Sequence, residues 1–220
     1  MSLWIKICGN TSVEDATLAA EVGANAVGFV FAASPRQVTE KQVLQIVPRL
    51  PEVLEKIGVF VDASLEKIEA TVRACHLTGV QLHFDADPGL PGKLRERFGA
   101  GLRILRVVHY GADATQVGPL TEDVNIDAVL IDSRTANAVG GTGTAFDWSS
   151  AASQFRIPGA QCRFVVAGGL TPANVSEAIA TLHPWGVDVV SGVEASPGSK
   201  DPDKVRAFIA RARAAHESST

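Results

Sequence analysis

Several features that would define a class of protein are missing from this 220-residue chain. It has no apolar run near the roughly 18 residues that a membrane span needs. Its first residues form a short strand pattern containing a lysine, not the long apolar core of a secretory signal, so we expect a cytoplasmic protein. The three cysteines are far apart and odd in number. They match neither a disulfide framework nor a metal-binding spacing, and we predict no metal site.

Charge of one sign is also not concentrated anywhere. The 20 basic and 24 acidic side chains are interspersed and give a net charge of -4, so we expect no nucleic-acid and no membrane partner. No glycine-rich dinucleotide fingerprint follows the first apolar run, and no phosphate-loop lysine pattern occurs, which argues against an NTPase. From these bulk features we expect no more than a soluble cytosolic globular protein.

Short apolar runs alternate with longer amphipathic stretches, a pattern that predicts parallel strands covered by helices. Eight strands are predicted, over Leu3–Cys8, Ala26–Phe31, Lys56–Val61, Gly79–His83, Leu102–Val108, Ala128–Asp132, Arg163–Ala167 and Val187–Ser191. The predicted helices cover Val13–Val22, Glu40–Arg49, Leu65–Ala74, Gly92–Phe98, Trp148–Ser153, Pro172–Leu182 and Pro202–Ala214. Eight such units in one chain favour a single-domain α/β protein, a (β/α)₈ TIM barrel over residues 1–220. An open doubly wound sheet is the alternative, usually with fewer strands.

Four of the helix starts carry capping signals. Ser12 and Ser64 are predicted N-caps, while Thr171-Pro172 and Asp201-Pro202 each place a cap residue before a proline at the first helical position.

In barrels of this kind the reacting groups lie at the carboxyl ends of the strands. Alternation places Trp4, Lys6 and Cys8 on the inward face of the first strand, so Cys8 is expected at the mouth. A free cysteine is commonly no more than packing. Asp132 directly follows an apolar run, where a carboxylate must be hydrogen-bonded or used, unless it opens a turn. A thiol and a carboxyl group across one mouth are a layout for acid–base catalysis.

Glycines follow the sixth, seventh and eighth predicted strands, in residues 140–143, at Gly168-Gly169 and at Gly192 beside Ser191. Glycines let backbone N–H groups approach a ligand closely, and the loops after strands seven and eight are the usual phosphate site of this fold. Arg36, held behind Pro35, could present its planar fork to a carboxylate, although an arginine at such a position is more often a solvated surface residue. His83 ends a strand and could be a ligand or a base, although a lone histidine is more often structural.

These motifs fall in the order of a known family. They are Lys6-Ile7-Cys8-Gly9, Gly28-Phe29-Val30-Phe31, Ser34-Pro35-Arg36, Gly58-Val59-Phe60-Val61, Val80-Gln81-Leu82-His83, Asp132-Ser133, the glycines of 140–143 with Phe146-Asp147-Trp148, Ala167-Gly168-Gly169-Leu170, and Gly186-Val187-Asp188 through Ser191-Gly192-Val193-Glu194. From Lys6 to about Lys204 the chain resembles the phosphoribosylanthranilate isomerases of tryptophan biosynthesis, which catalyse an Amadori rearrangement without a cofactor.

The resemblance implies Cys8 as general base and Asp132 as general acid. It implies Arg36 at the anthranilate carboxylate and glycines of the last three strand-end loops at the phosphate. The implied substrate-binding residues are Arg36, Gln81, His83, Gly141, Gly143, Gly168, Gly169, Ser191 and Gly192. For Cys8 to act as a base near neutral pH, its surroundings must favour the thiolate. For Asp132 to act as an acid, a pocket of low dielectric constant must keep its carboxyl group protonated. The implied partner is a small-molecule phosphorylated substrate, and relatives of this kind are monomers or homodimers.

Two positions depart from the family pattern: Phe84 replaces a usual glycine and Asp62 a common asparagine. Two other functions stay open. A sugar-phosphate lyase or an indole-glycerol-phosphate synthase-like enzyme would want a lysine at a strand end, but Lys6 lies a pleat too deep and Lys56 begins its strand. A binding module would have lost the acid–base pair, although Cys8 and Asp132 are both present.

Overall fold

Eight parallel strands pair in chain order and close into a barrel in the computed structural model, which describes residues 2–83, 87–109, 122–132 and 163–218. The strands are β1 (Trp4–Ile7), β2 (Ala26–Val30), β3 (Glu55–Val61), β4 (Gly79–His83), β5 (Arg103–His109), β6 (Ala128–Asp132), β7 (Arg163–Ala167) and β8 (Gly186–Val189). The predicted (β/α)₈ barrel is confirmed, and each strand lies within two residues of its predicted bounds.

The barrel closes where β8 pairs with β1. Lys6 stands beside Asp188 in this register, and Ile7 stands beside Val189. The two charged residues therefore lie at the same level of the interior, although 182 positions separate them in the chain.

Helices follow most of the strands, at Val13–Glu21, Glu40–Ile46, Leu65–Ala74, Leu90–Phe98, Val175–Leu182 and Pro202–Ser218. The Ser12 and Ser64 side chains accept hydrogen bonds from the backbone N–H groups of Asp15 and Lys67, as predicted for N-caps. Asp201 likewise caps the last helix, because its Oδ1 accepts from the N–H groups of residues 203 and 204.

The start predicted at Pro172 is wrong by three residues, since this helix begins at Val175. The Asn174 side-chain oxygen accepts a hydrogen bond from the Thr171 N–H at 2.7 Å, and its amide donates to the Gly169 carbonyl at 3.0 Å. These bonds hold the chain in a turn, so residues 171–174 lead into the helix without belonging to it.

The buried apolar residues of the barrel form two separate layers. The outer layer lies between strands and helices and includes Leu3, Ile5 and Ile7 of β1. The inner layer fills the barrel and includes Trp4, with Leu105 and Leu130 from β5 and β6. Residues of β1 thus alternate between the layers as predicted, with Trp4 facing inward.

A short antiparallel hairpin, Glu194–Ser196 with Ser199–Lys200, follows β8 and was not predicted. The predicted helix Trp148–Ser153 lies outside the described residues, as do the glycines of 140–143. Within the described ranges, no helix has the length and apolar character required to cross a membrane.

Candidate active site

A cavity of about 240 Å³ opens at the carboxyl ends of the strands. Its lining includes every predicted site residue that the structure describes: Cys8, Arg36, Gln81, His83, Asp132, Gly168, Gly169, Ser191 and Gly192. Gly141 and Gly143 lie outside the described residues. The fold therefore brings nine predicted residues from six different parts of the chain to one cavity. This cavity lies at the carboxyl ends of the strands, where barrels of this kind have their active sites.

Cys8 follows β1 directly and is buried, with 3% of its surface exposed. Its thiol lies against Gly28 of β2. A Cβ atom added to that glycine would come within 2.5 Å of Cys8 Sγ and 2.9 Å of Lys6 Cε. Real Cβ atoms do not approach so closely, so both inward side chains of β1 use the space that glycine leaves.

Burial raises the pKa of the Cys8 thiol, and the charge of Asp188 adds to that increase. The ammonium groups of Lys6 and Lys200 act in the opposite direction, because they favour the thiolate. Without substrate, the balance favours the protonated thiol.

Lys6 is fully buried in the barrel interior. Its ammonium nitrogen lies 3.1 Å from Asp188 Oδ1 in an ion pair. Burial alone would lower the pKa of Lys6, but the negative charge of Asp188, together with that of Cys8 when it is ionised, outweighs burial and raises it. Lys6 therefore remains a cation directly below the thiol.

The same ammonium group reaches across the barrel to β4, where it donates a hydrogen bond to Gln81 Oε1. Gln81 Nε2 in turn lies 2.9 Å from Nε2 of His83, two residues further along the strand. A polar chain therefore runs from the buried lysine to the wall of the cavity.

Asp132 ends β6 and is buried, with 6% of its surface exposed. Strands β7 and β8 separate it from β1 on one side of the barrel. Asp132 and Cys8 thus line one cavity from well-separated parts of the barrel, and their roles as acid and base stay a prediction.

The loops after β7 and β8 meet closely at this end. Gly168 and Gly169 have φ angles of +83° and +64°, in the left-handed region that favours glycine. Gly192 approaches so near to the Leu170 carbonyl that a side chain there would overlap it. Both loops depend on glycine, and both present backbone to the cavity.

The guanidinium of Arg36 holds Glu194 side-on, with Nε to Oε1 at 2.8 Å and Nη2 to Oε2 at 2.6 Å. Lys200 also binds Glu194, at 3.3 Å, and donates to the Cys8 carbonyl at 2.6 Å. The two hydrogen bonds that Arg36 donates to Glu194 raise the pKa of Arg36. These two bonds use Nε and one N–H of Nη2, and a guanidinium has further N–H groups that can donate to another acceptor.

Sequence reasoning did not include Lys6, Asp188, Glu194 or Lys200 in the site. Asp188 carried a usable signal, because it is a carboxylate inside an otherwise apolar strand, as Asp132 is. The described residues contain no group of three or more His, Cys, Asp or Glu side chains placed to hold a metal ion.

Of the two departures from the family pattern, Asp62 has a φ of +47°. This left-handed conformation is one that asparagine adopts more readily than most residues do. Phe84 lies outside the described residues.

Fold and cavity together define a (β/α)₈-barrel enzyme. A family model described as "N-(5'phosphoribosyl)anthranilate (PRA) isomerase" matches residues 5–211, and the chain belongs to this family.

Individual relatives agree with this assignment. The chain is 43% identical over 217 residues to the N-(5'-phosphoribosyl)anthranilate isomerase of Pelobacter propionicus, covering 98% of each chain. The phosphoribosyl anthranilate isomerase structure from Thermotoga maritima superposes with a TM-score of 0.82 at 35% identity, covering 96% of this chain and 99% of that one. A second isomerase structure, in complex with reduced 1-(o-carboxyphenylamino)-1-deoxyribulose 5-phosphate, gives a TM-score of 0.78 at 34% identity, with coverage of 96% and 99%.

Proposed function

We propose that this member of the family converts N-(5'-phosphoribosyl)anthranilate to 1-(2-carboxyphenylamino)-1-deoxyribulose 5-phosphate in tryptophan biosynthesis, with Cys8 as general base and Asp132 as general acid. The observation that carries the proposal is the shared cavity, which a thiol and a carboxyl group line from β1 and β6. We also propose that the protein acts in the cytoplasm, as a monomer or a homodimer.

Asp132 acts first. Its carboxyl group gives a proton to the furanose ring oxygen, and the bond from that oxygen to C1 breaks. The lone pair of the anthranilate nitrogen forms a double bond to C1, so the opened sugar becomes a protonated Schiff base. The buried position of Asp132 excludes the water that would otherwise compete for this proton.

Cys8 acts second. Its thiolate removes the proton from C2, and the electron pair of that C–H bond moves toward the positive nitrogen, giving an enolamine that tautomerises to the ketone. Lys6 and Lys200 favour the thiolate that this step requires. A thiolate of raised pKa is a scarcer base at neutral pH but a stronger one.

The two anionic ends of the substrate find separate partners in this arrangement. The edge of Arg36 that Glu194 does not occupy binds the anthranilate carboxylate in a planar fork. Backbone N–H groups of the loops containing Gly168, Gly169 and Gly192 bind the phosphate. The reacting carbons then lie between these anchors, over Cys8.

The deciding experiment uses freshly made N-(5'-phosphoribosyl)anthranilate and purified protein, without added metal or nucleotide. We expect the substrate fluorescence to fall with time as product accumulates. Absence of turnover from protein with a cooperative thermal transition would overturn the proposal.

A further inference from the structure

His83 lines the cavity from the end of β4 and takes no part in the proposed proton transfers. A histidine in such a place could be a second base, because its ordinary pKa lies near neutrality. The geometry behind the ring decides between a base and a hydrogen-bond donor.

Lys6 fixes the orientation of the Gln81 amide. Lys6 donates a hydrogen bond to Gln81 Oε1, and an ammonium group has hydrogens to give but no lone pair to accept with. The amide oxygen must therefore face Lys6, which turns the amide nitrogen toward His83.

The amide orientation in turn fixes which nitrogen of the His83 ring carries the proton. Gln81 Nε2 lies 2.9 Å from His83 Nε2, and an amide nitrogen only donates. His83 Nε2 must accept, so it carries no hydrogen. The remaining ring nitrogen, Nδ1, holds the proton of the neutral imidazole, and Gln81 does not engage it.

We propose that Lys6 and Gln81 are positioning residues that hold His83 as a neutral imidazole protonated on Nδ1, so that His83 donates a hydrogen bond to a substrate oxygen instead of accepting a proton from the substrate. The tautomer follows from the protein alone. Only the identity of the acceptor rests on the proposed function.

The surroundings of the ring keep it neutral. Burial lowers the pKa of His83 to about 4, and the positive charge of Lys6 from β1 contributes to the decrease. His109 and Arg106 of β5 act in the same direction, while Asp132 of β6 opposes them. At neutral pH the ring therefore remains uncharged and keeps the single proton that its hydrogen bond to Gln81 places on Nδ1.

A spectroscopic test reads the tautomer directly. Long-range ¹H–¹⁵N correlation spectra of histidine-labelled protein distinguish protonated from bare ring nitrogens, and the signal missing from His83→Asn identifies His83 among the five histidines. We expect a bare Nε2 and a protonated Nδ1 from neutral pH down to about pH 5. A protonated Nε2 at pH 7, alone or with a protonated Nδ1, would overturn the proposal.

Gln81→Glu tests what sets the tautomer. A carboxylate accepts from Lys6 and from the ring, so we expect Nε2 to become protonated in this variant. An unchanged tautomer in folded Gln81→Glu would show that Gln81 does not control it. If that variant fails to fold, Gln81→Met is the substitute, and it should show a mixture of both tautomers.

A kinetic test separates donor from base. Asparagine can place an N–H near the position of Nδ1, whereas leucine cannot, so His83→Leu should raise KM about fivefold more than His83→Asn does. Neither variant should remove a limb from the pH profile of kcat. Loss of a limb together with a hundredfold decrease in kcat would make His83 a base. A protein without isomerase activity would overturn the proposed function, while the spectra would still decide the tautomer.

Discussion

The barrel contains two arginine–glutamate pairs of almost the same geometry at opposite ends. At the amino end, Arg103 grips Glu55 through Nε and Nη2, at 2.6 and 2.7 Å. At the carboxyl end, Arg36 grips Glu194 with the same two nitrogens, at 2.8 and 2.6 Å. Contact geometry alone would not tell which of the two serves function.

The surroundings distinguish the two pairs. Arg103 also stacks over the Trp185 ring, and the centroid of that ring lies 5.1 Å from the centroid of the Trp4 ring. These contacts pack the amino end of the barrel. Arg36 faces a cavity, and its glutamate is shared with Lys200. At the amino end of the barrel the arginine contacts other side chains of the protein, whereas at the carboxyl end the arginine lines the cavity. The comparison predicts that changes at the two ends will affect different measurements.

The largest effect is expected for the proposed acid–base pair. Cys8→Ser and Asp132→Asn should each reduce kcat about 10²–10⁴-fold, because each removes a proton-transfer group. Steady-state kinetics measure the loss. Cys75→Ser is the matched control, since that cysteine is also buried but lies outside the barrel mouth, and it should leave kcat within about twofold. A tenfold loss or less in Cys8→Ser would remove Cys8 as the base.

At the amino end, Trp4→Ala should destabilise the fold without impairing the chemistry. The side chain is 4% exposed, and its indole N–H has no hydrogen-bond partner in the described part of the chain, so packing is its main contribution. We expect the free energy of unfolding in urea to fall by about 3–5 kcal/mol. The kcat of the folded fraction should stay near that of the parent protein. A stable variant with kcat reduced a hundredfold would erase the difference between the two ends.

The paired arginines sharpen the comparison most directly. Arg36→Ala should raise KM about ten- to a hundredfold, since a charge-assisted bond to the substrate carboxylate is lost. Glu194 would keep Lys200 as its partner, which limits the damage to the fold. Arg103→Ala, its matched control, should lower the unfolding midpoint and leave KM unchanged. Equal KM values for both variants would disprove the carboxylate assignment.

A smaller effect concerns pH. The general base works deprotonated and the pKa of Cys8 is raised, so kcat/KM should increase as pH rises above neutrality. The negative charge of Asp188 contributes to that raised pKa, so Asp188→Asn should move the limb to lower pH, by up to about one unit. Lys6→Met should move it upward. Shifts in the same direction for both variants would show that these charges do not control the thiol.

The smallest effect is expected at Asp62, which lies on the surface just beyond β3. Its φ of +47° suits asparagine better, so Asp62→Asn should stabilise the protein by at most about 0.5 kcal/mol. Thermal unfolding measures this change, and kcat should not move. A decrease in stability would mean that the carboxylate has a role beyond the backbone conformation.

The barrel and most of its cavity could be predicted because both depend on short-range patterns. Alternation along β1 gave the inward face with Cys8, and a carboxylate after an apolar run marked Asp132. Glycines after β7 and β8 marked the loops that meet at Gly192. In each case the signal lay within a few neighbouring residues.

The charged network could not be predicted, because its members are distant in sequence. Lys6 meets Asp188 only through the register in which β8 closes on β1, and no local pattern contains that register. Glu194 joins Arg36 across 158 positions, through a hairpin that carries no strong strand signal. The late helix start at Val175 has a similar cause, since the side-chain bonds of Asn174 override the usual preference for proline at a helix start.

Gly28 shows how chemistry can depend on a residue that has no functional group. The hydrogen in place of its Cβ lets the Lys6 chain cross toward Gln81 and gives the Cys8 sulfur its place in the wall of the cavity. One added methyl group would press on the proposed base and on the cation that assists it at the same moment. In random mutagenesis of this enzyme, position 28 should therefore behave as part of the active site, although its residue has no side chain. Its tolerance of substitution should follow that of the catalytic residues and not that of the packing around it.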